Sequence, residues 1–178
     1  MSGPLHGPGR PAGPRAPLSP EQRAALSGPV VTLPTVDDTR AFGARLAAVL
    51  RAGDLVVLTG PLGAGKTVLV QGIGVGLGVL GKIVSPTFVI ARTHDGDLPL
   101  VHVDAYRLGS LDEVDDLDLD VDAAEAVTVV EWGAGLVEQL ADSRLEISIS
   151  RDSLTDARTA RLMPYGGDWA ERISSLTA

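Results

Sequence analysis

Leu55-Val56-Val57-Leu58-Thr59-Gly60-Pro61-Leu62-Gly63-Ala64-Gly65-Lys66-Thr67 is the stretch from which the rest of this chain can be placed. Leu55–Thr59 is apolar and β-branched without alternation, as expected of a strand buried on both faces. It runs into Gly60-x-x-x-x-Gly65-Lys66-Thr67, which fits the phosphate-binding loop at every fixed position. Gly60, Gly63 and Gly65 can adopt backbone angles that turn successive N–H groups inward, with Ala64 between them, to form an anion nest. A helix starting near Lys66 adds its positive dipole end beneath the phosphates. Lys66 is then placed to reach β- and γ-phosphates, and the Thr67 hydroxyl to ligate Mg²⁺. A plain glycine-rich turn would need neither the Lys-Thr pair nor the four-residue spacing, so nucleotide binding is the expectation.

With 178 residues, one domain with a sizeable core is expected. There are no cysteines, which excludes disulfides, thiolate zinc sites and cysteine nucleophiles. No apolar run approaches membrane-spanning length, and the N-terminus has no secretory h-region, so a cytoplasmic protein without membrane partners is expected. Three of the 15 basic residues (Arg10, Arg15, Arg23) and one of the 23 acidic ones (Glu21) fall within residues 1–28. The remainder carries 12 against 22, formally −10. Such a field repels a phosphate backbone, so any service to RNA is expected to be indirect, through a protein partner.

Residues 1–28 are rich in Pro, Gly and Ala and read as a disordered or polyproline-like tail, with a brief helix possible over Ser19–Leu26. Residues 29–178 form the expected domain. Val30–Leu33 reads as an edge strand. Asp37 or Asp38 can cap a helix running to about Arg51, with Phe42, Leu46, Val49 and Leu50 on one face and Gly53 beyond its end. After the loop, Val68–Leu77 should be helical, although Gly72, Gly74 and Gly76 each cost about 1 kcal/mol relative to Ala. Either another element packs closely there, or the helix leans on bound nucleotide. Phe88–Arg92 and Leu98–Asp104 read as an antiparallel pair around His94–Asp97. Asp112–Glu125 holds eight acids and no base. Val121 stands where a calcium loop needs glycine, so a solvated or partner-facing segment is the better reading. Val127–Glu131 is a second buried-type strand. Gly133–Leu140 reads as a helix, Leu145–Ile149 with Thr159–Met163 as a final hairpin, and Asp168–Leu176 as a closing helix capped by Asp168.

Hydrolysis needs more than a phosphate loop: an acid near Mg²⁺ and a group to orient water. Two strands end suitably, Leu100–Asp104 and Val127–Glu131, and either acid could face the loop, since open α/β sheets bind ligands at the carboxyl ends of their strands. Ser85-Pro86-Thr87-Phe88 offers hydroxyls where switch segments sense a γ-phosphate, and reads equally as the turn that starts a strand. His102 reads as a strand residue rather than an acid–base group.

Gly60–Thr67, then Ser85-Pro86-Thr87-Phe88, then His102-Val103-Asp104-Ala105-Tyr106-Arg107-Leu108, then Glu131-Trp132, in this order and spacing, resemble the TsaE family. Leu98-Pro99-Leu100, and Thr39 with Gly43, add to the likeness, which covers about Thr32 to Met163. The resemblance implies a three-layer α/β sandwich of the P-loop NTPase type with a mixed, mainly parallel sheet. It also implies weak Mg²⁺-dependent ATP hydrolysis and partnership with TsaD and TsaB, which form the t6A modification on adenosine 37 of tRNA. By the same resemblance, ATP or ADP lies on Gly60, Gly63, Ala64, Gly65, Lys66 and Thr67, with Thr39 and Arg158 close by. Thr67 and Glu131 surround Mg²⁺, Asp104 is needed for hydrolysis, and Thr87 lies near the γ-phosphate. Departures from the family pattern are Pro61, Ala105 and the extra Gly74, none of which removes a reacting group.

Two other classes compete. A small-molecule kinase would share the loop, yet such enzymes carry an arginine-bearing lid, and the region after Asp104 is acidic instead. A nucleotide-gated adaptor would bind ATP tightly without releasing phosphate.

Overall fold

A computed structural model describes residues 28–86, 91–105, 123–132 and 141–177. The elements are β1 (Val30–Leu33), α1 (Val36–Ala47), β2 (Leu55–Thr59), α2 (Lys66–Gly76), β3 (Ala91–His94), β4 (Leu100–Asp104), β5 (Val127–Glu131), β6 (Arg144–Arg151), β7 (Arg158–Tyr165) and α3 (Trp169–Arg172). Seven strands form one sheet in the order β1-β7-β6-β2-β5-β4-β3. The centre is parallel, β2 pairing with both β5 and β6 and β4 with β5, whereas β1/β7, β6/β7 and β3/β4 are antiparallel. The sheet is therefore mixed, with parallel pairing at the middle rather than across most of its width.

β2 sits at the centre because both its faces are apolar. Val56 and Leu58 join the larger core with Phe42, Leu46, Leu69 and Ile73 of the helices, while Leu55 and Val57 join a smaller core on the opposite face. α1 starts two or three residues earlier than its candidate caps, Asp37 and Asp38, suggest. Thr35 is the cap, in extended conformation, accepting from the Asp38 N–H at 3.1 Å while Asp38 Oδ2 accepts from the Thr35 N–H at 2.9 Å. Asp38 thus serves as the far half of a capping box, not as the cap itself. The helix closes at Ala47 rather than near Arg51, because Ala48, Val49 and Leu50 donate to carbonyls three residues back and tighten the last turn.

Gly72 and Gly76 of α2 are accounted for by close helix packing, whereas Gly74 faces the Ile83 side chain. A Cβ on Gly72 would collide with the Arg40 carbonyl oxygen of α1, and one on Gly43 would lie 2.5 Å from the Leu69 carbonyl oxygen of α2. The two backbones therefore approach across glycine from both sides, and this contact holds the phosphate-loop helix against the sheet. Trp169 and Ile173 pack into the same core. Asp168 precedes α3 but caps no N–H; its carboxylate accepts from Arg51 at 2.8 Å and Arg172 at 3.3 Å, which outcompete the helix end. Residues 1–27, the acidic segment 106–122 and the helix expected over 133–140 lie outside the described residues, as do Thr87–Ile90, so the strand expected from Phe88 is seen only from Ala91.

Candidate functional site

Gly60, Gly63 and Gly65 have φ of 144°, 77° and 111°, values that L side chains rarely adopt. Gly65 ends the loop in left-handed geometry, and that lets α2 begin at Lys66, where the loop motif places it, two residues ahead of the apolar run from Val68. The loop thus delivers Lys66 and Thr67 as the first two helical residues, pointing their side chains to the carboxyl ends of β4 and β5.

Two acids meet them there. β4 and β5 run parallel, with Asp104 opposite Glu131. Both project from the sheet face that carries α2, continuing the rows Leu100–His102 and Val127–Val129. Asp104 is 5% and Glu131 3% exposed. Glu131 Oε1 accepts from Thr67 Oγ1 at 3.1 Å and contacts His102 Nε2 at 2.8 Å. Ser85 Oγ donates to Asp104 Oδ2 at 3.3 Å. The two acids are thereby separated in surroundings: Glu131 is bound to the loop's threonine, Asp104 to the segment that follows α2.

Lys66 Nζ donates to the carbonyls of Gly60 at 2.8 Å and Pro61 at 3.1 Å, and lies 3.8 Å from the centre of the Trp132 ring. Burial pushes its ammonium below the ordinary lysine value, against the opposing pull of Glu131 and Asp104. Trp132 has φ of 62°, an uncommon state for a bulky residue, and its N–H donates to Leu58 at 2.9 Å, so the turn after β5 is held where the indole covers the lysine.

Arg158, at the start of β7, lies against Gly65: a Cβ on that glycine would stand 3.1 Å from Arg158 Nε. That Nε is buried without a partner, its Nη1 donates to the Asp156 carbonyl at 3.0 Å, and among the described residues no carboxylate pairs with it. A cavity of about 560 Å³ opens here, lined by Leu62, Gly63, Gly65, Lys66, Thr67, Val68, Ser85, Asp104, Glu131, Trp132 and Arg158. Its size is that of small-ligand sites.

Of the residues singled out in the sequence, Gly63, Gly65, Lys66, Thr67, Asp104, Glu131 and Arg158 converge on this cavity, while Gly60 lies at the start of the loop outside its lining. Ala64 is buried beneath the loop, its Cβ packed against Gly60. Thr39 stands one step back: it is fully buried in α1, its hydroxyl donates to the Thr35 carbonyl at 3.1 Å, and only its methyl approaches Gly65. Thr87, Tyr106 and Arg107 lie outside the described residues. His102 is the residue whose place the sequence concealed. Its two-residue spacing from Asp104 put it on the same strand face, but its contact with Glu131 depends on β4 pairing with β5.

Hard oxygen donors with one close carboxylate suit Mg²⁺, which takes much of its shell from phosphates and water. Among the described residues no group of three or more His, Asp or Glu side chains could hold a metal unaided. The Thr67–Glu131 pair beside the anion nest fits Mg²⁺ arriving with phosphate.

A mixed α/β sheet with a glycine loop leading into the helix after its central strand defines a protein of the P-loop type. The model of a family described as "Threonylcarbamoyl adenosine biosynthesis protein TsaE" matches residues 33–160. The chain is 54% identical over 147 residues to the tRNA threonylcarbamoyladenosine biosynthesis protein TsaE of Streptomyces coelicolor, covering 78% of this chain and 99% of that one. The protein of the same name from Mycobacterium tuberculosis is 51% identical over 152 residues, covering 79% and 90%. The crystal structure of Bacillus subtilis YdiB superposes with a TM-score of 0.69 at 32% identity, over 83% of this chain and 92% of that one. The chain belongs to the TsaE family, whose role is in making threonylcarbamoyladenosine in tRNA.

Proposed function

We propose that this chain binds ATP and hydrolyses it with Mg²⁺, and that the bound nucleotide switches its engagement with TsaD and TsaB in the t6A machinery. The observation that carries the proposal is the meeting of Lys66, Thr67, Asp104 and Glu131 on one cavity above a left-handed glycine loop. The loop N–H groups bind the β-phosphate and its neighbours. Lys66 leaves the carbonyls of Gly60 and Pro61 to meet the β- and γ-phosphates, and Arg158 adds a second cation beside Gly65. Thr67 and Glu131 would hold Mg²⁺, which supplies charge neutralisation at the transferring phosphoryl group. The 3.1 Å contact between Thr67 and Glu131 favours Glu131 over Asp104 for that part. Asp104, tied to Ser85, orients the attacking water, and Thr87 acts as the γ-phosphate sensor of the same segment.

The formal −10 carried by residues 29–178 supports contact with tRNA through TsaD and TsaB rather than directly. The compartment that fits this work is the cytoplasm. Among the described residues no helix is long and apolar enough to cross a membrane.

Titration calorimetry of ATP and ADP into the full chain, with Mg²⁺ and with EDTA, tests binding. Phosphate release measured alone and with TsaD and TsaB tests turnover. Heat of binding and partner-stimulated phosphate release are expected. Absence of heat under every condition would overturn the proposal, and tight binding without phosphate release beside the partners would turn the chain into a nucleotide-gated adaptor.

A further inference from the structure

We propose that His102 is a positioning residue for Glu131, an inference that rests on Glu131 being a Mg²⁺ ligand and assigns His102 the task of aiming it. Glu131 is nearly buried, and a carboxylate withdrawn from water requires donors. Two side chains reach the same oxygen: Thr67 Oγ1 at 3.1 Å and His102 Nε2 at 2.8 Å. Held through Oε1 from two directions, the carboxylate plane is set, and Oε2 is the oxygen engaged by neither.

The imidazole itself supplies the second observation. His102 is 0% exposed, in the interior of β4, on the face otherwise filled by Leu100, Val127 and Val129. Its Nδ1 is buried without a partner among the described residues. Nε2 donates to the carboxylate, and Nδ1 is left with no hydrogen bond to make among the described residues. A buried polar atom left in that state is a cost that an apolar residue at the same place would avoid. The imidazole is explained by what its other nitrogen holds. The ring works as a fixed donor on a strand, the kind of outer support that orients metal-binding carboxylates.

The experiment measures the factor by which Mg²⁺ tightens ADP binding, by calorimetry with Mg²⁺ and with EDTA, in the full-length wild type and four variants. His102→Leu removes the donor and is expected to reduce that factor roughly ten-fold while leaving affinity in EDTA unchanged. His102→Gln places an amide nitrogen where Nε2 lies and should restore the factor. His102→Asn, too short to reach, should resemble His102→Leu. Thermal unfolding of each variant checks folding, and the Gln and Asn variants decide the matter should the leucine variant not fold. A wild-type factor in His102→Leu or His102→Asn, with the factor lost in Glu131→Gln, overturns the proposal alone. A wild-type factor in Glu131→Gln overturns the metal-ligand assignment and this proposal with it.

Discussion

Asp104 and Glu131 are register partners at the tips of adjacent parallel strands, yet each is bound to a different segment: Asp104 to Ser85 and Glu131 to Thr67. Under the proposed function, two acids placed so close and held so differently would divide the work between them. Asp104→Asn should lower phosphate release by about 100-fold, the scale of one positioned group acting on a reacting proton, with little change in ATP affinity. Glu131→Gln should lower release to a similar extent and also weaken the Mg²⁺ dependence of binding. Turnover and calorimetric affinity, measured side by side, separate the two. Unchanged turnover in both variants would remove the acid assignments.

Lys66 donates to two carbonyls of its own loop while lying against the Trp132 ring. Polyphosphate gives that buried ammonium a better counter-charge, so binding should raise the melting temperature. Ligand at about 100 times its dissociation constant adds roughly 2.7 kcal/mol. For a chain of this length each 1 kcal/mol moves the midpoint by about 2–4 °C, so a rise of about 5–10 °C is expected. Lys66→Ala should abolish the rise. Differential scanning fluorimetry with and without Mg²⁺-ATP reads both outcomes, and a rise retained in the variant would contradict Lys66 as the phosphate-binding cation.

The run Leu55–Thr67 carried the fold class and the position of the loop, because a doubly buried strand and a left-handed glycine turn each leave a mark on local sequence. The acids at the ends of β4 and β5 were legible as candidates for the same reason. Which of them meets Thr67 was not, since it depends on register between strands whose ends are 27 positions apart. His102 was concealed by the same cause: a histidine on a buried strand face says nothing of its neighbour across the ladder. Asp168 misled because its local sequence signals a helix cap, whereas Arg51, distant in sequence, claims its carboxylate. The tight α1–α2 contact was half visible. Repeated glycines announced that something comes close, and only the fold names Arg40 as what does.

Gly72 and Gly74 are two residues apart on one helix and should respond to alanine with different magnitudes. In an open helix either change would gain about 1 kcal/mol. At Gly72 the new methyl meets the Arg40 backbone oxygen, which cannot move without parting α1 from α2. At Gly74 it meets Ile83 Cδ1, the free end of a side chain that can rotate away. Gly72→Ala should therefore destabilise by about 1–3 kcal/mol, as overpacking does, and Gly74→Ala should be close to neutral. Urea unfolding midpoints at constant slope decide it. Equal losses at both positions would mean that Ile83 is as fixed as backbone.

His94 ends β3 with its Nε2 buried and without a partner among the described residues. Burial pushes its imidazole below the usual 6.5, helped by the nearby His102 and Arg92 and opposed by Asp95. The unfolded chain therefore binds a proton more readily than the folded one, and stability must rise with pH across the interval between the two values. The contribution is complete above about 6.5, the unfolded value, and is lost as pH falls through the lower folded value. His94→Gln, which does not titrate, should flatten that part of the profile while leaving stability at pH 8 nearly unchanged. Melting temperatures of the two proteins, recorded in steps from pH 8 down to pH 5, should agree at pH 8 and diverge on the acid side of the window, the wild type falling below the variant. Parallel profiles throughout would show that His94 takes up its proton as easily folded as unfolded.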